Sequence, residues 1–297
     1  MKIKRSLGSH IFDVINHLFF ILVIIACILP IWHVVCASFS EATWVMSQEG
    51  IIWHIEGFNL TGYEMVFQNR DIWTGYLNTI LYCVLTTVIG LLITVLIAYV
   101  ASRKELLWAN AIMLFASFTI IFNGGIISAY IINTQLLHMY NSRWAIILPG
   151  CFTAFYLILV RTAMQSVPES LIESAKLDGA SHTTVLFKIM LPLIKATLAT
   201  VILYYVVGQW NSWFSAAIYL RNRDKFPLQI IIKEILVTGD ITSSTNITAS
   251  DYSSDITLYK QLIKYCTIVV STVPIFIFYP FIQKYFEKGV MIGAVKG

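Results

Sequence analysis

Charge is what this sequence has least of. Of 297 residues, 12% are charged and 58% hydrophobic, with a formal net charge of +4. A soluble domain carries about 25% charged residues, so the chain has about half the usual complement and reads as a membrane protein. The basic residues lie between apolar runs rather than on one face, which excludes nucleic-acid binding. Five cysteines are present, Cys27, Cys36, Cys83, Cys151 and Cys266. They show no CxxC and no Cys/His ligand spacing, which excludes a disulfide framework or a zinc site and predicts small buried hydrophobes. There is no HExxH, no G-x-S-x-G and no Gly-Lys dipeptide from which a P-loop could be built. The chain is therefore expected to have no catalytic residue, no metal and no cofactor. No period of repeat-protein length is visible.

What is present in quantity is apolar run. About 20 mostly apolar residues cross a hydrocarbon core, and six stretches qualify: 11–36, 76–100, 107–132, 144–165, 193–219 and 260–282. They predict an all-α membrane protein in which 1–297 is one transmembrane domain. The first run is too long for a signal-peptide core and lacks a clean cleavage site, so it is expected to stay as a span. Even span number places both termini on one side, and Lys2, Lys4, Arg5, Arg103, Lys104, Arg161, Lys176, Lys188, Lys284, Lys288 and Lys296 make that side cytoplasmic. The opposite side receives the acidic segment 39–72 and a late external loop, 221–258. In that loop Pro227 opens a short interfacial helix over 226–236. A Ser/Thr-rich linker follows over 238–255, in which Asn246 heads a glycosylation-type triplet.

One polar insert interrupts the second half of the chain: "ESAKLDGASHTTVLFKIMLP", residues 173–192. Pro168 and Glu169 suit the first turn of a helix ending near Asp178. Gly179 supplies a stop with positive φ, Ser181 caps a second short helix reaching Met190, and Pro192 starts the next span. The insert is thus a helix–Gly–helix elbow on the cytoplasmic side.

Glu173, Ala175, Gly179, Ile189, Leu191 and Pro192 fall at the offsets EAA, three residues, Gly, nine residues, I-x-L-P. That spacing resembles the EAA signature of ATP-binding-cassette importer permeases, with Ser174 in place of the second alanine. Asp178-Gly179-Ala180 extends the match towards carbohydrate permeases. "FNGGIISAYIINTQ" (122–135), "AIILPG" (145–150), "GQWNSWFSAAIYLRNRDKFPLQIIIKEIL" (208–236) and the tail "QKYFEKGVMIGAVKG" (283–297) are similar to the MalG-like carbohydrate permeases, closest to their LplC-like branch.

The resemblance implies the type I ABC importer permease fold: six transmembrane helices with a coupling helix between the fourth and fifth, in a coupling loop at 167–192. It implies that Glu173, Ser174, Ala175, Asp178, Gly179, Ala180, Leu191 and Pro192 meet a cytosolic ATPase. The tail 283–297 is cytoplasmic and reaches towards the ATPase pair. The implied partners are a second homologous permease, two ATPase subunits and an extracellular sugar-binding protein, in a bacterial cell membrane, with an oligosaccharide as cargo.

Gln209, Trp210, Asn211 and Trp213 fall inside the fifth apolar run. Hydrogen-bonding side chains beside flat aromatic faces suit a sugar path, and the same residues suit helix–helix contact; both readings stand. Asn123-Gly124-Gly125 marks a break or a close contact, and His33 is expected to be structural. Two other functions are weighed. An ion-coupled secondary transporter would carry carboxylates inside its spans; here Asp13 sits at the edge of the first run and the span interiors hold none. A sensor or scaffold that docks an ATPase without transporting would share the elbow; the full set of spans and the tail argue against it.

Overall fold

In a bilayer a chain must satisfy its backbone polar groups internally, which leaves helices as the economical solution for apolar runs of this length. The computed structural model describes residues 7–103, 105–238 and 256–294, and among them every regular element is helical. Side chains are described for 8–103, 105–237 and 259–280. Lys2, Lys4, Arg5, Lys104, the linker at 239–255 with Asn246, and the side chains of the tail at 283–297 lie outside the described residues.

Among the described residues, three helices are long and apolar enough to cross a membrane: Gly8–Phe39, Arg70–Ser102 and Tyr259–Pro280. Three bent pairs pass the same length-and-composition test, which makes six spans if each pair is one. Contacts divide the chain into two units, residues 1–70 with 234–272, and 71–233 with 273–297.

The first unit holds α1 (Leu7–Phe39), α2 (Ala42–Ser47), α3 (Thr61–Gln68) and the start of a long helix, Ile256–Ala294. Segment 40–60 folds back onto the end of α1. The Ser40 Oγ accepts from the Glu56 N–H at 3.1 Å, and the Glu41 and Asn59 N–H groups donate to Glu56 O and Phe39 O. Gly62 lets α3 approach the long helix: a Cβ there would lie 2.7 Å from Cys266 Sγ. His33 is held through both ring nitrogens. Its Nδ1 accepts from the Ile52 N–H at 2.9 Å, which leaves Nε2 to face the Tyr265 hydroxyl at 3.3 Å.

The second unit runs through α4 (Arg70–Ser102), α5 (Ala109–Ile121), α6 (Gly125–Ile131, extended by a π turn to Leu136), α7 (Trp144–Gly150), α8 (Ala154–Gln165) and α9 (Glu169–Leu177). It continues through α10 (His182–Thr184, then a π turn to Met190), α11 (Leu191–Leu193), α12 (Lys195–Trp210), α13 (Phe214–Tyr219) and the start of α14 (Leu228–Thr238); α15 is the long helix Ile256–Ala294. Pro227 immediately precedes α14.

Within this unit α4 meets three different neighbours along its length. Asn78 donates to Asp224 O and Phe226 O, and the Thr79 hydroxyl accepts from the Leu228 N–H. Mid-helix, Gly90 lies so close to α12 and the α7–α8 junction that a Cβ would sit 2.8 Å from both the Cys151 carbonyl and the Tyr205 ring. The Tyr205 hydroxyl joins Thr94 Oγ1 at 2.9 Å to Cys151 O at 3.1 Å. Near the last turn, the Tyr99 hydroxyl reaches His182 Nδ1 at 3.0 Å.

Three apolar runs are not straight rods. The run 107–132 bends by 115° where Asn123 Oδ1 accepts the Gly125 N–H and Gly125 takes φ +78. The run 144–165 bends by 41° after Pro149, at an extended Thr153. The run 193–219 breaks at Asn211–Trp213 between α12 and α13. Four cysteines are buried as expected, whereas Cys27 is exposed on α1.

Candidate functional site

The elbow forms as two helices and a turn that each have a local cause. Helix α9 starts at Glu169, with Pro168 before it, and ends in a Schellman closure. The Ala180 N–H donates to Ala175 O at 2.9 Å and the Gly179 N–H to Lys176 O at 3.0 Å, with Gly179 at φ +80. Ala175 and Ala180 are therefore the third-from-last helical residue and the second residue past the cap, the pair that such a closure brings together. Their small size lets both pack on the core below. Ser181 then caps the next helix, its Oγ accepting from the Thr184 N–H.

Pro192 does not begin the span as its sequence position suggests. It lies in the last short turn, α11, and the corner is two residues later at Ile194 (φ −99, ψ 18). The π turn Val185–Met190 precedes the proline, and its wider winding leaves room for a ring that brings no N–H. The two arms, His182–Leu193 and Lys195–Trp210, meet at 83°.

The inner face of the elbow is anchored. Ile172, Val185, Leu186, Met190 and Ile194 are buried with Val160, Met164, Val201 and Tyr205 in one core cluster. At about 25 cal/mol per Å² of apolar surface, five such side chains hold the elbow as part of the core rather than as a loop. The outer face is open: Glu173, Ser174, Asp178, Gly179 and Pro192 are exposed and Leu191 is half-buried. Leu177, which the sequence reading passed over, is 89% exposed. A cleft of about 400 Å³ lies beside α9, lined among others by Arg103, Glu105, Glu169, Glu173 and Lys176. Lys176 pairs with Glu105 at 3.1 Å, an exposed contact of small energetic weight. The Arg103 guanidinium sits over the Tyr99 ring at 4.7 Å.

The four residues after α12 do not share one environment. Trp210 is buried against Tyr76, ring centroids 6.1 Å apart, and lines an apolar cavity of about 430 Å³ with Ile80, Val84 and Val207. Asn211 caps its own helix, donating to Val207 O at 2.9 Å. Gln209 turns its amide oxygen to Gly150. Trp213 is half-buried and carries Lys233 Nζ over its ring, 3.4 Å from the centroid. Lys233 was not legible beforehand, since 20 residues separate it from the ring it covers.

Residues 70–291 match the family model described as "Binding-protein-dependent transport system inner membrane component". The chain belongs to this family. Such a component is a membrane permease, and the resemblance first drawn from the EAA-type spacing is the correct one. The permease is 35% identical over 289 residues to the polygalacturonan/rhamnogalacturonan transport system permease protein YtcP of Bacillus subtilis, covering 97% of this chain and 99% of the relative. It is 34% identical to Protein LplC of the same organism, covering 98% and 96%. A solved bacterial ABC transporter involved in import of the acidic polysaccharide alginate contains a chain that superposes with a TM-score of 0.84. That match has 29% identity and covers 96% of this permease and 100% of that chain.

Proposed function

We propose that this permease carries an oligosaccharide across a bacterial cell membrane and that residues 169–194 are the part an ATPase moves. The observation that carries the proposal is the elbow's two-sidedness. One face is fixed in the core by five buried apolar residues, and the other presents Glu173, Leu177, Asp178 and the bare Gly179 backbone. A rigid projection of this kind passes a displacement at its surface directly into α12, because no flexible segment lies between them. Glu173 supplies a carboxylate for a basic group on the ATPase, and Leu177 an apolar contact.

Hydrolysis of ATP belongs to two cytosolic ATPase subunits, and this chain is not itself a catalyst. A second homologous permease completes the path, and an extracellular sugar-binding protein delivers the cargo. Both termini and the elbow lie on the cytoplasmic side, where the basic residues between spans are concentrated. The chain acts as one permease domain over 1–297, with the coupling loop at 167–192 and the tail at 283–297 facing the ATPases. An oligosaccharide cargo is supported by relatives named for polygalacturonan, arabinooligosaccharides and maltodextrin. Trp213 with Lys233 offers a flat ring and a cation to such a cargo. Gln209 and Asn211 remain candidates for the path, and buried Trp210 is the candidate for helix contact.

Gly179→Val and Glu173→Lys test the reading. Valine at φ +80 costs on the order of 1–3 kcal/mol, and the charge reversal opposes the expected basic partner. A Cβ at Gly179 meets nothing within 4 Å, so the strain is conformational and stays in the elbow. Both variants are expected to insert normally, to lose ATPase subunits during purification, and to lose hydrolysis stimulated by the binding protein in liposomes. Wild-type retention and stimulation in both variants would reduce residues 169–194 to a connector.

A further inference from the structure

The segment that follows α1 folds back along that helix. Beyond Phe39 the chain turns back, and two hydrogen bonds fix how far. The Trp32 Nε1–H donates to Trp53 O at 2.9 Å, and the Ile52 N–H donates to His33 Nδ1 at 2.9 Å. Residues 52 and 53 thus lie beside residues 32 and 33, about 10 Å back along the axis of α1 from its end. By residue 56 the chain has climbed again, since Glu56 is bonded to Ser40 and Glu41. The dip runs alongside the C-terminal end of the apolar stretch 18–37, which is apolar and long enough to cross the hydrocarbon of a bilayer.

The side chains of the dip are sorted as such a depth demands. Ile52 is buried against Cys36, Ala37 and Val45. Ile51, Trp53 and Ile55 point away, exposed by 46%, 58% and 43%, and His54 and Glu56 pair with each other at the upper end. Trp32, itself half exposed, stands at the level of Trp53. Tryptophans concentrate at the boundary between headgroups and acyl chains, where an amphipathic ring has both an apolar and a polar neighbour. The backbone groups of residues 52 and 53 that face α1 are bonded to its side chains, which lowers the cost of holding non-helical chain at that depth. The exposed row is also continuous with α1, whose most apolar 18 residues are uncovered all round.

We propose that residues 51–55 are a lipid anchor: a short dip that seats Ile51, Trp53 and Ile55 in the interfacial layer of the leaflet at the C-terminal end of α1. It fixes the depth of that end of the helix and of the segment 40–69 built on it. The partner is the lipid surface itself, not cargo and not a subunit.

The test uses the full chain with the subunits that co-purify with it, in liposomes of phosphatidylethanolamine and phosphatidylglycerol. In a Cys27→Ser background, which removes the exposed native thiol, Ile51→Cys, Trp53→Cys, Ile55→Cys and Glu49→Cys are each spin-labelled. Collision with oxygen and with a water-soluble nickel complex is then measured. Labels at 51, 53 and 55 are expected to favour oxygen severalfold over the label at 49. Because Trp53→Cys removes a large side chain, positions 51 and 55, which leave Trp53 in place, decide the matter if that variant fails to assemble. A nickel-rich pattern at 51 and 55 equal to that at 49 overturns the proposal in favour of water. Low access to both reagents overturns it in favour of another chain covering the row. Neither result bears on transport, so the proposal stands or falls separately from the function above.

Discussion

Helices α1 and α4 are near twins in sequence statistics and opposites in use. Their most apolar 18-residue windows have mean hydropathies of 2.8 and 2.7, yet none of the first is buried and 39% of the second is. The difference lies in small and hydroxyl-bearing residues. On α4, Gly75, Thr79, Cys83, Thr86, Gly90, Thr94, Ala98 and Ser102 recur every three or four positions, and all are buried. The window of α1 is made of Leu, Ile, Val and Phe with little interruption. In lipid, apolarity gives no preference for the inside, because acyl chains are as apolar as leucine. Close backbone approach and internal hydrogen bonds decide which helix is covered.

The sharpest way to break the comparison is Gly90→Leu. Its Cβ would collide with a carbonyl and a packed ring, neither of which is the free end of a flexible chain. We expect a loss of about 3 kcal/mol or more, read as failure to recover folded protein from detergent. Folded recovery at the wild-type level would show that the small-residue ladder is not what packs α4. Tyr205→Phe is expected to be milder. It removes the hydroxyl shared by Thr94 and Cys151 and should cost about 1–2 kcal/mol, measured as a lower unfolding midpoint in sodium dodecyl sulfate. An unshifted midpoint would show that the pair of bonds has no net worth. The smallest effect belongs to α1. Leu22→Ala, at a position 66% exposed, should change stability of the isolated chain by no more than about 0.5 kcal/mol. A shift as large as that of Tyr205→Phe would mean that α1 is packed and the contrast with α4 is false.

Much of the elbow could be read directly from residue types. Glu169 after Pro168, Gly179 and Ser181 each carry a local conformational requirement, and each sits where that requirement places it. The six apolar runs were equally plain, because length and composition are local quantities. What escaped depends on contacts far along the chain. The break at Asn211–Trp213 is hidden inside an unbroken apolar run. His33 finds Ile52 and Tyr265 across 19 and 232 residues. The corner falls at Ile194 rather than at Pro192 because the proline sits inside the short turn α11, which continues a π turn that has no sequence signature of its own. Ser174 departs from the alanine of the motif at an exposed position, where the closure formed by Ala175, Gly179 and Ala180 places no demand on it.

The corner at Ile194 also joins two arms that share one anchorage. His182–Leu193 and Lys195–Trp210 meet at 83°, and both enter the same core cluster, the first through Val185, Leu186 and Met190 and the second through Val201 and Tyr205. Neither arm can tilt about the corner without shearing those contacts, so the two form a single bent body. The far end of that body is where α12 gives way to Asn211 and Trp213.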